Sequence, residues 1–519
     1  MLTWSKIRVW LFYLFVFLLP WQTRWIIRDP IVNGGIWEYG RISLYSWDII
    51  FLLLIIMSWP TIWREILNFK FQISNFKSSN NKKNVIPAPF GLELMAERKA
   101  GIQIGKKKTF LDSGSWAGMT LVFILFLSFL LILWSDDKVL ATTWSLRLLE
   151  GGLLWLLIKI IKPKLSGIFW SLALAGTLQA LWGIVQFFTQ STFANKWLGV
   201  AAHSLTQAGT SVILSGGENW LRAYGGQVHP NVLGGLLVIT CLATIWLYFN
   251  FKFQISNFKS NPNDLESRIG KLNILNSLFL IRNSQTLILL LYIIQLAGLF
   301  FTFSRGAWLS LGVSLGIWWW QSRCHPGQGS GIQKQTETPC NYFVTFLSGF
   351  RLLGRNDIRG LRVVILFTIL TFVTLSSIYY PLVQTRIFGG GRLEQQSVEE
   401  RVGSIKDSQS ILARVWWHGV GMGNYTVELQ KIQPNLSPRF YQPVHNVFLL
   451  IFTELGIVGL ILFLCLILFV LKNRSFAISH LLLAAALASA AFDHYLWTIP
   501  SMFMLFWFII SITNENIYD

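Results

Sequence analysis

Long apolar runs separated by short polar or basic breaks set the pattern of this chain. They fall near residues 7–26, 43–61, 116–134, 141–161, 167–188 and 230–249, then near 285–303, 306–320, 362–381, 445–471, 477–492 and 495–513. About 17–25 apolar residues span a bilayer's hydrocarbon core, so the pattern predicts an all-α polytopic membrane protein with about twelve transmembrane helices. The 306–320 run is the shortest of the set. The first run, Ile7 to Pro20, has the basic flank Lys6 and Arg8 of a signal sequence. It is followed by Trp21-Gln22-Thr23-Arg24-Trp25 rather than small residues, and so reads as a retained first helix. The run beginning at His445 carries Gly456 and Gly459 three residues apart, a spacing that makes a groove where another helix or a lipid chain can approach.

Charge fixes a direction for these helices. The 519 residues are 53% hydrophobic and only 13% charged, with a formal charge of +19. The excess lies in short loops between apolar runs, which is the positive-inside pattern and not a nucleic-acid footprint. With the N-terminus inside, loops 62–115, 162–166, 250–284, 321–361 and 472–476 are cytoplasmic. They hold Lys82-Lys83, Lys106-Lys107-Lys108, Lys162, Lys164, Arg355, Arg359, Lys472 and Arg474. Asp136-Asp137 and Asp493-His494 then mark short outer loops, both termini are cytoplasmic, and a long outer loop, 382–444, joins helices nine and ten. An eleven-residue segment occurs twice, at Asn68–Ser78 and Asn250–Ser260. It reads as an inserted low-complexity piece without a part in chemistry. Cys241, Cys324, Cys340 and Cys465 include no Cys-x-x-Cys spacing and read as free thiols, Cys324-His325 notwithstanding.

This alternation sorts the unusual polar residues by side. Arg222 precedes the sixth helix, Arg305 sits in the tight Ser304-Arg305-Gly306 connection, and His445 opens the tenth helix; all three fall at the outer boundary. A cation at that depth is costly unless it is paired or faces a wet cavity. Boundary arginines also snorkel to lipid headgroups, and a terminal histidine can simply be solvated. Together the three suit a lipid diphosphate carrying a sugar. Arginine forks hold phosphate oxygens bidentately, and a histidine can take a proton from an acceptor hydroxyl. The 382–444 loop adds Arg401, Trp417, Tyr425 and Tyr441, with glycines at 419, 421 and 423 for tight turns and aromatic rings for stacking on sugars. A short amphipathic helix is expected around 397–417.

The segment His445-Asn446…Gly456-x-x-Gly459, the Ser304-Arg305-Gly306-Ala307 turn, the Arg222…Pro230-Asn231 stretch and the Gly419–Tyr425 loop resemble the O-antigen ligase / O-antigen polymerase superfamily, over roughly residues 220–470. The resemblance implies an inverting, metal-independent glycosyltransferase of the bacterial cytoplasmic (inner) membrane, with no cofactor. It takes glycan from undecaprenyl diphosphate on the periplasmic face. By similarity His445 is the general base, Arg222 and Arg305 contact the donor diphosphate, and Arg401 is a further family position. Asn446, Tyr425, Trp417, Tyr441 and Gln227 are additional substrate-contacting candidates. No acceptor-specific motif is present, so the acceptor stays open between lipid A core, another glycan and a protein; ligase-like is the favoured reading, and a polymerase of the same superfamily is the runner-up. The expected organisation is an N-terminal helical region 1–219, a catalytic core 220–475 and a C-terminal helical region 476–519.

A lipid-linked-oligosaccharide flippase or other transporter is the rival from another class. It should place ionisable groups near the bilayer midplane on broken helices. Here mid-helix charge is nearly limited to Glu454, for which a structural hydrogen bond is expected. A purely scaffolding protein has no need of a histidine and two arginines on one boundary.

Overall fold

The computed structural model describes residues 4–80, 113–207, 209–260, 271–324, 355–389, 391–472 and 478–515. Lys82-Lys83, Lys106-Lys107-Lys108, His325, Cys340 and Arg474 lie outside the described residues, and so does most of the predicted 62–115 and 321–361 loops. The described residues are mostly helical, at 73%. Among the described residues six helical segments are long and apolar enough to cross a membrane: Ser46–Glu65, Leu165–Thr189, Pro230–Asn250, Ser284–Phe301, Gly360–Ile378 and Val447–Leu471. Shorter apolar helices cover Trp116–Leu131, Ile478–Ala490 and Pro500–Asn514. The protein is therefore a multi-pass membrane protein.

In chain order the helices are α1 (Trp4–Leu18), α2 (Ser46–Asn80), α3 (Ser113–Leu131), α4 (Lys138–Ile161), α5 (Leu165–Thr189), α6 (Pro230–Ser260), α7 (Lys271–Phe301) and α8 (Arg305–Cys324). There follow α9 (Arg355–Ile378), α10 (Tyr380–Phe388), α11 (Arg392–Val415), α12 (Tyr425–Ile432), α13 (Val447–Leu471), α14 (Ile478–Ala490), α15 (Tyr495–Thr498) and α16 (Pro500–Asn514). Helices α5, α6 and α7 pack on one another; α3 packs on α13, α8 on α14 and α16 on α4. Among the described residues three two-stranded antiparallel sheets supplement the helices: β1 (Arg24–Arg28) with β4 (Ile42–Tyr45), β2 (Ile31–Val32) with β3 (Gly35–Ile36), and β5 (Val212–Ser215) with β6 (Glu218–Leu221).

Local chemistry explains several departures from the apolar-run reading. The first run stops at Leu18 rather than near residue 26, because Arg24 to Arg28 pair as a strand. The last run divides at Pro500, which opens α16 and separates it from the single turn of α15. The helix expected around 397–417 begins earlier, at Arg392, and the outer loop also contains α10 and α12. Both copies of the repeated segment continue helices, α2 and α6, rather than forming loops. Two of the polar residues beside the runs are caps: Asp137 accepts the Leu140 N–H at the start of α4, and Asn446 accepts the Leu449 N–H at the start of α13, both at 2.9 Å.

Helix α13 is interrupted at Gly456, whose φ of 69° and ψ of −175° are not helical. The break leaves two carbonyls and an amide without helical partners, and the 416–421 loop satisfies them. Val420 N–H donates to Thr453 O (3.0 Å), Gly421 N–H donates to Glu454 O (2.8 Å), and Ile457 N–H donates to Trp416 O (2.9 Å). Inside a lipid-embedded bundle such backbone groups must be paired within the protein. The Gly456 surface is thus filled by loop backbone, and the expected Gly456/Gly459 groove for a helix or lipid does not form. The glycines at 419, 421 and 423 serve the same docking: added Cβ atoms would lie 2.4 Å from Glu454 O, 1.8 Å from Ser135 Oγ and 2.3 Å from the Trp144 ring.

Gly456→Ala should therefore lower the apparent melting temperature in detergent. A non-glycine residue held at this φ and ψ, a region essentially restricted to glycine, costs about 1–3 kcal/mol, and its Cβ would also sit 2.4 Å from Trp417 O. Gly403→Ala, on α11 with open space around it, should leave the melting temperature unchanged or raise it. Equal melting of the two variants would contradict the docking.

Candidate active site

Residues Leu221–Gln227 run from β6 to the start of α6 as irregular backbone, yet they are buried throughout. Two glutamines of α5 make this possible. Gln186 accepts the N–H groups of Tyr224 (3.1 Å) and Gly225 (2.8 Å) and donates to Gly225 O (2.8 Å); Gln179 accepts the Gly226 N–H (2.6 Å). The Ala223 N–H reaches Phe301 O at the end of α7 (3.0 Å). The arm carries Arg222 inward to 3% exposure. Its guanidinium donates to Thr302 O (2.7 Å), Ser211 Oγ (2.6 Å) and Asn231 Oδ1 (2.8 Å). All three acceptors are neutral, so hydrogen bonds orient the cation, and among the described residues no carboxylate forms an ion pair with it. Burial, and then the nearby Arg386 charge, pull its pKa well below the ordinary value.

Asn231 links this cation to a second cluster. Its Nδ2 donates to Asp493 Oδ2 at 2.9 Å. Asp493 Oδ1 accepts the His494 N–H at 2.8 Å and lies 3.6 Å from His445 Nδ1. The His445 and His494 rings are 5.0 Å apart, and His494 Nδ1 pairs with Thr498 Oγ1 at 2.7 Å. Burial alone would raise the Asp493 pKa, but its contact with His445 is the largest influence the other way, and the carboxylate is held below its usual range. Burial pushes His494 down to about 3, and burial with the Arg222 charge does the same to His229. One ligand atom from each of His445, Asp493 and His494 falls within 4.8 Å of the others, a spacing a divalent cation could use. Both Asp493 oxygens are already engaged, and a nearby uncancelled arginine disfavours a cation there.

These residues face a cavity of about 900 Å³. Among the described residues lining it are eight arginines and four carboxylates. Arg24, Arg41, Arg147 and Arg386 are ion-paired, Arg41 and Arg147 partly with Asp29, Asp48 and Glu150 behind the lining, which leaves Arg222, Arg392, Arg401 and Arg439 outside those pairs to attract an anion. His445, Arg222, Arg401 and Gln227 all line it. Gln227 is also tied down, donating to Pro20 O (2.6 Å) and accepting from Gln22 (3.1 Å). Arg305 is not part of the lining. Its guanidinium donates to Arg386 O (3.1 Å) and lies 3.3 Å from Glu394 Oε2, while Arg386 pairs with Glu394 and donates to Phe303 O (2.9 Å). Arg305 thus fastens α10 and α11 to the turn between α7 and α8.

The remaining candidates hold structure. Asn446 caps α13 and donates to Ala491 O (3.1 Å). Tyr425 is buried, with its hydroxyl donating to Ser404 O (3.1 Å). Tyr441 is buried and donates to Gln433 O (2.7 Å). Trp417 is 59% exposed and packs edge-on against His418 outside the cavity. Glu454 accepts from Trp497 Nε1 (2.9 Å) and Gly423 N–H (3.0 Å), the structural role expected of it. Although α13 is broken there, as a transporter reading would ask, both carboxylate oxygens are used by the protein. Sequence reading missed His229, Asn231, Arg386, Glu394, Asp493 and His494 as site residues. The available signal is the paired Asp493-His494 in an outer loop, which sequence alone presents only as a charge marker.

The arrangement defines a class: a polytopic helical membrane protein whose arginine-rich cavity holds histidine and carboxylate side by side at one end of the bundle. A family model described as O-Antigen ligase matches residues 290–464 and supports the O-antigen ligase-like superfamily. Members of that family are glycosyltransferase-like membrane enzymes acting on a lipid-linked glycan and an acceptor. The matched segment contains Arg305, Arg386, Glu394, Arg401 and His445, and it starts later than the expected 220–470, leaving Arg222, His229 and Asp493 outside. No curated protein matches the chain.

The depressed His229 and His494 values give a pH dependence with a definite sign. Both rings are neutral in the folded protein, whereas an unfolded histidine protonates near 6.5. Their contribution to stability is complete above about 6.5 and is lost as pH falls toward about 3. Melting temperature in detergent should fall steadily from pH 7 to pH 4, and less steeply in a His494→Gln variant. A flat wild-type profile over that range would contradict the burial of neutral imidazoles.

Proposed function

We propose that this cavity transfers glycan from undecaprenyl diphosphate to an acceptor hydroxyl on the outward face of the bacterial inner membrane, as an O-antigen ligase-like enzyme. The observation that carries the reading is the link Arg222–Asn231–Asp493 beside His445, with an uncancelled buried cation at one end and an imidazole beside a carboxylate at the other. Arg222 binds the diphosphate, with Arg401 as a further contact. The donor tail remains in the bilayer and the sugar projects into the cavity. His445, positioned by Asp493, takes the proton of the acceptor hydroxyl. The acceptor oxygen attacks the anomeric carbon from the face opposite the diphosphate, the bond to the diphosphate oxygen breaks, and the configuration inverts. Arg305 acts indirectly, through Arg386 and Glu394, by holding α11 against the cavity. The catalytic unit extends beyond 220–475, because Asp493 and His494 come from the C-terminal region and Gln22 and Arg24 of the N-terminal region line the cavity.

Purified protein incubated with undecaprenyl-diphosphate glycan and candidate acceptors should form a glycosylated product. His445→Ala should cut transfer by about 10²–10⁴-fold, the usual worth of a general base. Arg222→Lys should also weaken it, since lysine keeps the charge but loses the fork. Undiminished transfer by a well-expressed His445→Ala variant would reject the mechanism.

A further inference from the structure

His229 lies between Arg222 and Asp493 and takes no part in the chemistry described so far. Its ring lines the cavity, with the Tyr224 ring edge-on to it at 6.4 Å. The informative contact is with the backbone: the Asn231 N–H donates to His229 Nδ1 at 3.1 Å. A nitrogen that accepts a hydrogen bond from an amide must present a lone pair, so in the neutral ring the proton sits on Nε2. The same Asn231 holds the Arg222 fork through Oδ1 and Asp493 through Nδ2. One residue therefore fixes the imidazole's tautomer and the orientation of the cation beside it.

We propose that His229 is a neutral hydrogen-bond donor to the anion bound by Arg222, offering Nε2–H to a phosphate oxygen of the leaving diphosphate. This rests on the transferase reading above and deepens it by adding a substrate contact. The charged and titratable groups around the ring are Arg222 on the buried arm, Arg386 on α10, Asp493 before α15 and His445 before α13. Burial, reinforced by the Arg222, His445 and Arg386 charges against the opposing Asp493, pushes the ring down to about 3, so it stays uncharged across the working pH range. A neutral imidazole held in one tautomer suits an anion site already supplied with arginine. It adds a directed donor without a second buried charge, and it keeps its proton throughout. As the bond from the anomeric carbon to the diphosphate oxygen breaks, the electron pair goes to that oxygen and the acceptor proton goes to His445. The Nε2–H bond strengthens as that negative charge grows, which is where a preorganised donor acts most.

The test has two independent arms. In protein labelled with 15N-histidine and held in nanodiscs without substrate, the His229 signals are those lost in His229→Gln. They should show an Nε2–H tautomer and stay unshifted from pH 8 to pH 4.5. Titration near pH 6.5, or an Nδ1–H tautomer, would overturn the proposal whatever the reaction is. In the transfer assay, His229→Phe should lower kcat by about 10–100-fold, the range for one hydrogen bond to a charged group. His229→Gln, which retains a donor near the Nε2 position, should recover part of that loss, with the pH profile of the remaining activity unchanged in shape. Wild-type kcat in a His229→Phe variant that melts normally would overturn the donor role. Full activity of His445→Ala would instead strike at the transferase reading and leave the tautomer result standing.

Discussion

A cation and an irregular stretch of backbone cannot be left unpartnered inside a lipid-embedded bundle, and the protein is arranged around meeting that condition at Leu221–Gln227. Water is not there to hydrogen-bond the exposed amides and carbonyls, so side chains of α5 take its place. Gln186 bonds both faces of the arm's backbone around Gly225, and Gln179 takes the next amide. The arm is thereby as fixed as a helix and delivers Arg222 to the cavity at a set depth. Hydrogen bonds to three neutral oxygens then hold the guanidinium without neutralising it. A carboxylate partner would have stabilised the arginine more and made it less useful to an anion. The break in α13 applies the same rule, with backbone of the 416–421 loop completing the bonds that Gly456 interrupts.

Arg305 shows what happens when a charge is placed one layer behind the cavity. It meets Glu394, which also pairs with Arg386, and the three groups join the α7–α8 turn to α10 and to the first turn of α11. A partly buried cluster of this kind gains little net stability once desolvation is counted, but it fixes geometry, because removing the shared Glu394 leaves two arginines without a carboxylate. The beneficiary is α11, whose Arg401 faces the cavity. On the proposed function, Arg305 reaches substrate only through the position it gives this helix. Its effect on activity is therefore expected to follow the order of α10 and α11.

Much of the helical architecture was legible because lipid solvent writes itself into sequence as long apolar runs. The termini of those runs were less so. Strand pairing at Arg24–Arg28, the Pro500 break and the Gly456 break each depend on partners distant in the chain, which run length does not record. The site was half legible. His445 and Arg222 stood out as ionisable residues at helix ends, and they do share one cavity. Tyr425 and Tyr441 looked like sugar-stacking surfaces because aromatic type was visible, whereas their burial and hydroxyl bonding were not. Asp493 and His494 were visible as polar residues, but their meaning lay in proximity to residues 445 and 231. That contact is made by the packing of α14 and α15 and not by spacing along the chain.

The electrostatic arrangement divides labour among similar groups by environment. Three histidines gather around one carboxylate, and burial keeps His229 and His494 neutral while Asp493 stays ionised. Had all three rings been open to solvent, their charges would have competed for Asp493 and added to an already strongly positive cavity. Neutral rings avoid that competition, and the carboxylate is left to face His445 at 3.6 Å with its other oxygen anchored on Asn231. For a transfer reaction this separation matters in both directions. On the proposed function, the arginines outside ion pairs favour a diphosphate as ligand and leaving group, and the imidazole–carboxylate pair provides a local place to receive a proton that the surrounding positive charge would otherwise repel. Asn231 is where the two halves meet, since it touches the cation, the carboxylate and the tautomer-fixed ring at once. A single amide side chain at the first turn of α6 thus links the buried cation to the carboxylate that faces His445.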